Sequence, residues 1–330
     1  MKTTLVVTSI SGQKNPVILE LARGASEHQI DFILIGDKKS PSVFQVEGCR
    51  YYSVSDQNQL DYKLSGRLPF NHYTRKNLGY LIAMSDGAEV IIETDDDNHP
   101  FPKFWDVRKK RCRTRIPNGD GWINIYKYYS KNNIWPRGFP LELIQKDNPE
   151  LGEDIEIESP IIQGLADENP DVDAIYRLVE TLPVTFEGDY NISLRKNSIC
   201  PFNSQNTTWF KEAFPLMYLP SYCSFRMTDI WRSLVAQRIA WTCGWNITFT
   251  PSTVWQERNE HNLLKDFKDE IPGYLGNASI ITFLLELTLE EGINNIGQNM
   301  IKCYSKLVVE GYFDSAELRL LEAWLVDLAV

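Results

Sequence analysis

The feature that most restricts how this chain can fold is the alternation in its first hundred residues. "TTLVVTSI" is a short β-branched run that ends in small polar residues. "NPVILELARGASEHQ" follows with helical spacing, Pro16 near its start and apolar Val17, Ile18, Leu21 and Ala22 on one face. "IDFILIGD" is a second strand, "YTRKNLGYLIAMSDGA" a second helix closing at Gly87, and "EVIIETDDD" a third strand. Strand, helix, strand, loop, helix, strand implies a parallel sheet covered by helices. Such sheets bind ligands beyond the carboxyl ends of their strands. All three runs end there in polar groups: Thr8 and Ser9, Asp37, and Asp95 to Asn98.

The rest of the chain is less regular. Residues 100–225 are rich in Trp, Tyr, Pro and Gly; within them "RGFPLELI" reads as a strand or edge segment and "DVDAIYRLVETLP" as a short helix or turn. "TDIWRSLVAQRIAWTCG" is a helix that ends before Gly244. Three further helices are expected in "ASIITFLLELTLEEG", "NIGQNMIKCYSKLVVEG" and "FDSAELRLLEAWLVDLAV", the last opened by a capping box of Asp314 and Glu317. The expected division is an α/β domain over 1–265 and a helical C-terminal segment over 266–330.

Charge and cysteine content narrow the partners. A formal net charge of -10 disfavours broad capture of nucleic acid or anionic membrane. The one basic run, "RKKRCRTR" at 108–115, reads as a solvated face or as a contact for an anionic lipid-linked molecule. Six cysteines lack the short paired spacing of a zinc knuckle or a redox motif. No apolar run reaches the roughly 18 residues of a membrane span, and the N-terminal stretch is too short for a signal peptide. A cytoplasmic protein with reduced thiols is expected, peripheral at most to the inner face of a membrane. The sequons at Asn191, Asn206, Asn246 and Asn277 are then chance matches.

Three adjacent aspartates at a strand end repel one another unless something positive sits among them. Mg²⁺ and Mn²⁺ favour carboxylate and water oxygens and share such sites with substrate phosphates. In an extended segment Asp95 and Asp97 would face one site and Asp96 would turn away. A solvated acidic turn is the plain alternative. A calcium loop of the EF-hand type fits poorly, because its Gly and distal Glu are missing and Pro100 intervenes. Asp171 and Asp173 form a second D-x-D, set before a helix-like segment rather than after an apolar strand.

The block "RKNLGYLIAMSDGAEVIIETDDDN" resembles a stretch of the plant STELLO glycosyltransferases and related bacterial proteins, and more distantly the reversibly glycosylated polypeptides that act as arabinopyranose mutases. The likeness continues in "QGLADENPDVDAIYRL", "PFNSQNT" and "SFRMTDIWRSLVAQRIAW". It spans roughly 70 to 260; the first seventy residues match only in style, and none is placed on the C-terminal helices. The resemblance implies a GT-A (Rossmann-like) nucleotide-diphospho-sugar transferase fold with a helical C-terminal appendage. It implies a metal-dependent glycosyltransferase of polysaccharide biosynthesis, with Asp95 and Asp97 as the D-x-D pair that holds Mn²⁺ or Mg²⁺. The donor expected is a UDP-sugar and the acceptor a polysaccharide or lipid-linked glycan, with inversion one stereochemical outcome.

The contacts to the nucleotide sugar expected in this chain are Thr8, Ser9, Asp37, Arg75, Asn77, Asp96 and Arg232. Arg75, Lys76 and Asn77 sit near a helix N-terminus, where cationic side chains and free N–H groups suit a diphosphate or a base, and Gly79 would allow close approach. Asp229 is the expected catalytic base for the acceptor hydroxyl. An Asp in a helix's first turn is also explained by the helix dipole alone. Arg226 and Arg232 flank it, Trp231 would stack on a sugar or fill the core, and Arg177 would support donor or acceptor. Asn203 to Asn206 would meet sugar hydroxyls or make a turn, and His99 is a ligand or a loop residue. Two other readings remain open: a nucleotide-sugar mutase, and a nucleotide-sugar-binding scaffold without turnover.

Overall fold

The computed structural model describes residues 1–257 and 262–328. His261 and the last two residues of the third C-terminal helix expected from sequence lie outside them. The chain opens with β1 (Thr3–Thr8), α1 (Pro16–Glu27), β2 (Asp31–Ile35), β3 (Arg50–Tyr52), the single turn α2 (Val54–Gln57), α3 (Lys76–Ser85) and β4 (Val90–Thr94). It continues through β5 (Asn98–Pro100), β6 (Arg111–Thr114), β7 (Gly121–Trp122), α4 (Tyr126–Tyr129), β8 (Ile155–Glu158) and β9 (Ile161–Asp167). After α5 (Ala174–Val179) come β10 (Ile192–Leu194), β11 (Ser198–Ile199), β12 (Asn206–Phe210), α6 (Thr228–Ala240) and β13 (Ile247–Gln256). Helices α7 (Leu263–Leu285), α8 (Ile296–Val309) and α9 (Ala316–Asp327) complete it.

Among the described residues nine strands form one sheet in the order β10-β13-β9-β12-β4-β1-β2-β3, with β5 paired to β13. As the alternation predicts, β1 runs parallel to β2 and to β4. The sheet turns mixed beyond β4, where β12 lies antiparallel to both β4 and β9. The α/β class expected from sequence is the observed one.

Pleating divides the apolar residues of each parallel strand between two layers. Leu5 and Val7 face one side with Val17, Ile18 and Leu21 of α1, whereas Val6 faces the other with Leu78 and Leu81 of α3. These side chains are nearly fully buried, so each contributes about 1.5–3 kcal/mol of transfer free energy. Helix α3 packs so closely that a Cβ on Gly79 would sit 2.5 Å from Val6 Cγ1 and 3.0 Å from Ile35 Cγ1. The close approach that Gly79 permits is therefore to the sheet, not to a ligand.

Three local expectations are corrected. "RGFPLELI" forms no strand; Gly138 has φ +89° and only a 3₁₀ turn at Leu141–Leu143 is present, between Pro136, Pro140 and the loop that follows. Helix α7 begins fifteen residues earlier than its apolar run suggests, at Leu263, and accommodates Pro272 within it. Met227 packs directly against Gly273, where a Cβ would sit 2.2 Å from its sulfur. Glu317 makes no capping box: its buried carboxylate accepts from the Ser221 N–H (2.9 Å), the Tyr222 N–H (2.6 Å) and the Tyr218 hydroxyl.

The C-terminal helices share one hydrophobic core with α3 and α6, through Ile280, Leu284, Met300, Leu321 and Trp324. Three of the six cations of the basic run are paired in place. Arg111 pairs with Glu156, Lys110 with Glu158 and Glu212, and Arg115 with Asp154. Among the described residues no helix is long and apolar enough to cross a membrane, and all six cysteines are free.

Candidate active site

Two cavities meet at the carboxyl ends of β1, β2 and β4. The first, about 330 Å³, is lined by Thr8, Ser9, Asp37, His72, Arg75 and Phe225 among others. Asp37 follows β2 directly, and the loop leading into α3 delivers His72 and Arg75. The Asp37 carboxylate accepts the His72 N–H at 3.0 Å and the Lys38 N–H at 2.7 Å. The Thr74 N–H donates to His72 Nδ1 at 3.2 Å, which leaves Nε2 to carry the proton of a neutral ring. Burial pushes His72 down to about 4, against the opposing charge of Asp37. Its ring packs on Tyr73 and Phe225.

Arg75 is 1% exposed. Its Nε donates to Gln57 Oε1 at 2.6 Å, its Nη1 reaches Leu68 O at 3.3 Å, and its plane covers the Phe70 ring. Its Nη2 is buried with no hydrogen-bond partner among the described residues. A buried donor left over beside a cavity is what a ligand's acceptor would satisfy.

The second cavity, about 600 Å³, is lined by Asp95, Asp96, Asp97, Arg137, Asp171 and Asp229 among others. It shares Thr8, Ile10, Tyr73, Asp96 and Phe225 with the first, so the two form one cleft. Strand β4 stops at Thr94, and the aspartates lie in the turn beyond it, closed by the Asn98 N–H on Asp95 O at 3.4 Å. Strand alternation does not govern a turn, so Asp96 is not turned away; all three line the cleft. The hydroxyls of Ser9 and Ser11 donate to Asp96 Oδ2, and Asn15 Nδ2 donates to its carbonyl at 3.1 Å. Gln256 donates to Asp97 Oδ2 at 3.0 Å. Burial raises the pKa of Asp95, and the Lys76 ammonium at 2.9 Å offsets only part of that rise.

The donor chemistry fits a hard divalent cation. Asp95 and Asp97 offer carboxylate oxygens, and Mg²⁺-type sites commonly take one or two carboxylates plus substrate phosphate and water. Among the described residues no group of three or more His, Cys, Asp or Glu is arranged around a metal position.

Arg137 crosses the floor of the cleft. It reaches Asp171 through Nε (2.8 Å) and Nη2 (2.9 Å), and Asp229 through Nη1 (3.1 Å) and Nη2 (3.0 Å). Ser204 N–H adds a bond to Asp229 Oδ2 at 3.1 Å. Burial alone would raise the Asp229 pKa, but the Arg137 charge and hydrogen bonds, with Arg232 and Ser204 N–H, hold it at about 2. Both Asp229 oxygens are thereby engaged, so in this geometry the carboxylate orders the floor of the cleft.

Other expected residues stay outside the cleft. Asn77 is buried and bonds Leu219 O at 2.8 Å and Leu219 N–H at 2.9 Å. Arg232 spends its guanidinium on Glu93 (2.8 and 3.0 Å) and Asn203 O, with neither partner's side chain exposed. Both corrections share a cause: α3 and α6 are buried on nearly every side, so their polar residues face protein. Trp231 is core, with its N–H on Asn277. Asp173 caps α5 and accepts from Trp135, and Arg177 reaches back to Pro170 O. His99 stacks on Trp255 and bonds Glu20. Of the "PFNSQNT" set, Ser204 and Gln205 line the cleft, and Arg226 does so while paired with Glu270. Arg137 and His72 were missed; the signal for Arg137 was an Arg bracketed by Pro136 and Gly138.

Comparison with known proteins agrees with the sequence blocks. Residues 226–330 match the family model described as STELLO glycosyltransferases. The C-terminal helices, where no resemblance had been placed, thus lie inside the matched region. Two relatives from Arabidopsis thaliana, "Probable glycosyltransferase STELLO2" and "Probable glycosyltransferase STELLO1", are 27% and 26% identical over 90% of this chain. The chain is similar to these two proteins over 90% of its length, and spans 41% of theirs. Two solved structures align loosely. One is a mycobacterial protein at 10% identity and TM-score 0.44, covering 84% of this chain and 75% of that one. The other, glucosyl-3-phosphoglycerate synthase from M. tuberculosis, has 9% identity and TM-score 0.39, covering 86% and 79%.

Proposed function

We propose that this chain is a GT-A glycosyltransferase domain that takes a UDP-sugar with Mn²⁺ or Mg²⁺ and passes the sugar to a polysaccharide or lipid-linked glycan. The helical segment 266–330 completes the domain's core. The observation that carries the reading is the continuous cleft, in which a nucleoside-sized pocket with an unspent Arg75 donor opens into a chamber bearing Asp95, Asp96 and Asp97. Uracil presents an N–H between two carbonyl oxygens. The pocket lining offers groups of the matching kinds, with Arg75 and the His72 Nε2–H as donors and Asp37 as acceptor.

Within this reading Asp95 and Asp97 hold the cation, whose positive charge, when bound, stabilises the departing diphosphate. Asp96, Ser9 and Ser11 fix the turn that presents those two carboxylates. Arg137 holds Asp171 and Asp229 on the chamber floor. A donor panel tests this: UDP-, GDP- and CMP-sugars with and without Mn²⁺, followed by thermal shift and nucleotide release. A ligand at 100 times its Kd adds about 2.7 kcal/mol of stability. Cation-dependent stabilisation by uridine donors, lost in Asp95→Asn, is expected. Stabilisation by none of the donors would overturn the reading.

A further inference from the structure

The group that most departs from a simple acidic metal cleft is Lys76. It opens α3, its side chain is fully buried, and its ammonium has all three donors placed. They reach Thr94 O at 3.0 Å, Asp95 Oδ1 at 2.9 Å and Ser204 O at 3.4 Å. A permanent positive charge is thus fixed against the first of the two carboxylates proposed to hold a divalent cation. It cancels the charge of Asp95 and repels a second cation arriving there. Elsewhere in the chamber Arg137 balances one of Asp171 and Asp229, while Asp96 meets two serine hydroxyls and Asp97 meets Gln256. Such neutral donors orient a carboxylate without cancelling its charge, so the repulsion acts at Asp95 itself, where Lys76 is bonded.

We infer that Lys76 makes divalent-cation binding conditional on the nucleotide diphosphate: the empty cleft holds the cation weakly, and the diphosphate's negative oxygens convert it to a tight site. The inference rests on the proposed nucleotide-sugar reading. It assigns Lys76 a positioning role on the cation site, through Asp95, and gives the buried ammonium a purpose that its hydrogen bonds alone do not require. Cation and nucleotide must then raise each other's affinity by the same factor.

A purely structural lysine, tying the end of β4 to the Ser204 loop, predicts the opposite sign on mutation. Losing a clasp loosens the site and weakens cation binding; losing a repelling charge strengthens it. A charge within about 4–6 Å of a carboxylate changes its proton affinity by roughly 10- to 1,000-fold, so at least about tenfold is expected for a dication. The experiment is Mn²⁺ titration followed by electron paramagnetic resonance, with and without UDP, on wild type and Lys76→Met. Lys76→Gln, which keeps a donor for Thr94 O without the charge, is run beside it to cover a folding defect in the first variant.

Wild type is expected to bind Mn²⁺ at least about tenfold more tightly with UDP than without. In the uncharged variants nucleotide-free affinity should rise by a similar factor, and the UDP enhancement should shrink to match. Unchanged or weaker nucleotide-free binding in the variants overturns the inference, as does wild type that binds Mn²⁺ equally well with and without UDP. Wild type that binds no Mn²⁺ even with UDP present overturns the functional reading itself, and the role of Lys76 with it.

Discussion

Replacing Arg137 with methionine removes the only cation bonded directly to both Asp171 and Asp229 among the described residues, while keeping most of the side chain's bulk. All three side chains are at most 12% exposed, so the stranded carboxylates cannot simply rehydrate. The fall of the Asp229 pKa from 3.8 to about 2 alone corresponds to about 2 kcal/mol. Breaking a buried pair from one side costs about 3–5 kcal/mol. For a chain of this size that lowers Tm by roughly 4–7 °C. The pH dependence carries the sign. In wild type the folded pKa lies below the unfolded one, so the contribution is present above about pH 4 and is lost as pH falls towards 2. In Arg137→Met burial acts unopposed by that cation, so ionising Asp229 is what costs stability, and the deficit should be greatest at pH 7 and shrink towards pH 4. Differential scanning fluorimetry from pH 4 to 8 reads this, with Arg115→Met as control, because the Arg115–Asp154 pair is 40% exposed on both sides and such pairs contribute under about 1 kcal/mol. A deficit no larger than the control's, or one that does not change with pH, would refute the reasoning.

Arg232→Met should cost about 3–5 kcal/mol by stranding Glu93, yet leave UDP affinity within about twofold of wild type in the folded fraction; a large loss of affinity at unchanged stability would return Arg232 to the ligand. Gly79→Ala should lower stability by about 1–3 kcal/mol through overpacking against Val6 and Ile35, measured by urea denaturation, with no change reading against the close packing. For His72 the folded pKa of about 4 lies below the unfolded value, so stability is full above about pH 6.5 and erodes as pH falls towards 4. NMR titration of its ring should give a pKa near 4, and a value above 6 would contradict both the burial and the Nδ1 acceptor role.

How much of this was legible depends on which physical signal each residue carried. The parallel strands announce themselves because β-branched runs buried on both faces need no polar alternation, and the polar residues at their ends mark the ligand side. Asp95 to Asp97, Asp37 and Thr8 were found by that logic. Asn77 and Arg232 were misplaced because adjacency to a motif does not say which way a side chain points. In α3 and α6 almost every position is buried, so there is no wet face to distinguish a strut from a ligand contact. Arg137 comes from a Pro- and Gly-rich loop without periodicity, and its place opposite Asp171 and Asp229 depends on contacts 34 and 92 residues away. Glu317 was read as a local cap, whereas burial sends its carboxylate to the backbone of a loop 95 residues earlier.

A uridine pocket joined to a carboxylate-held cation is probed by calorimetric titration of UDP into the protein. The experiment compares Mn²⁺ with chelator, in wild type, Arg75→Met and Asp97→Asn. Mn²⁺-dependent binding is expected in wild type, weakened at least about tenfold in Arg75→Met, which loses a charged hydrogen-bond donor worth about 1.5–3 kcal/mol. In Asp97→Asn the Mn²⁺ dependence should be lost. UDP binding that ignores both Mn²⁺ and Arg75 would contradict that site.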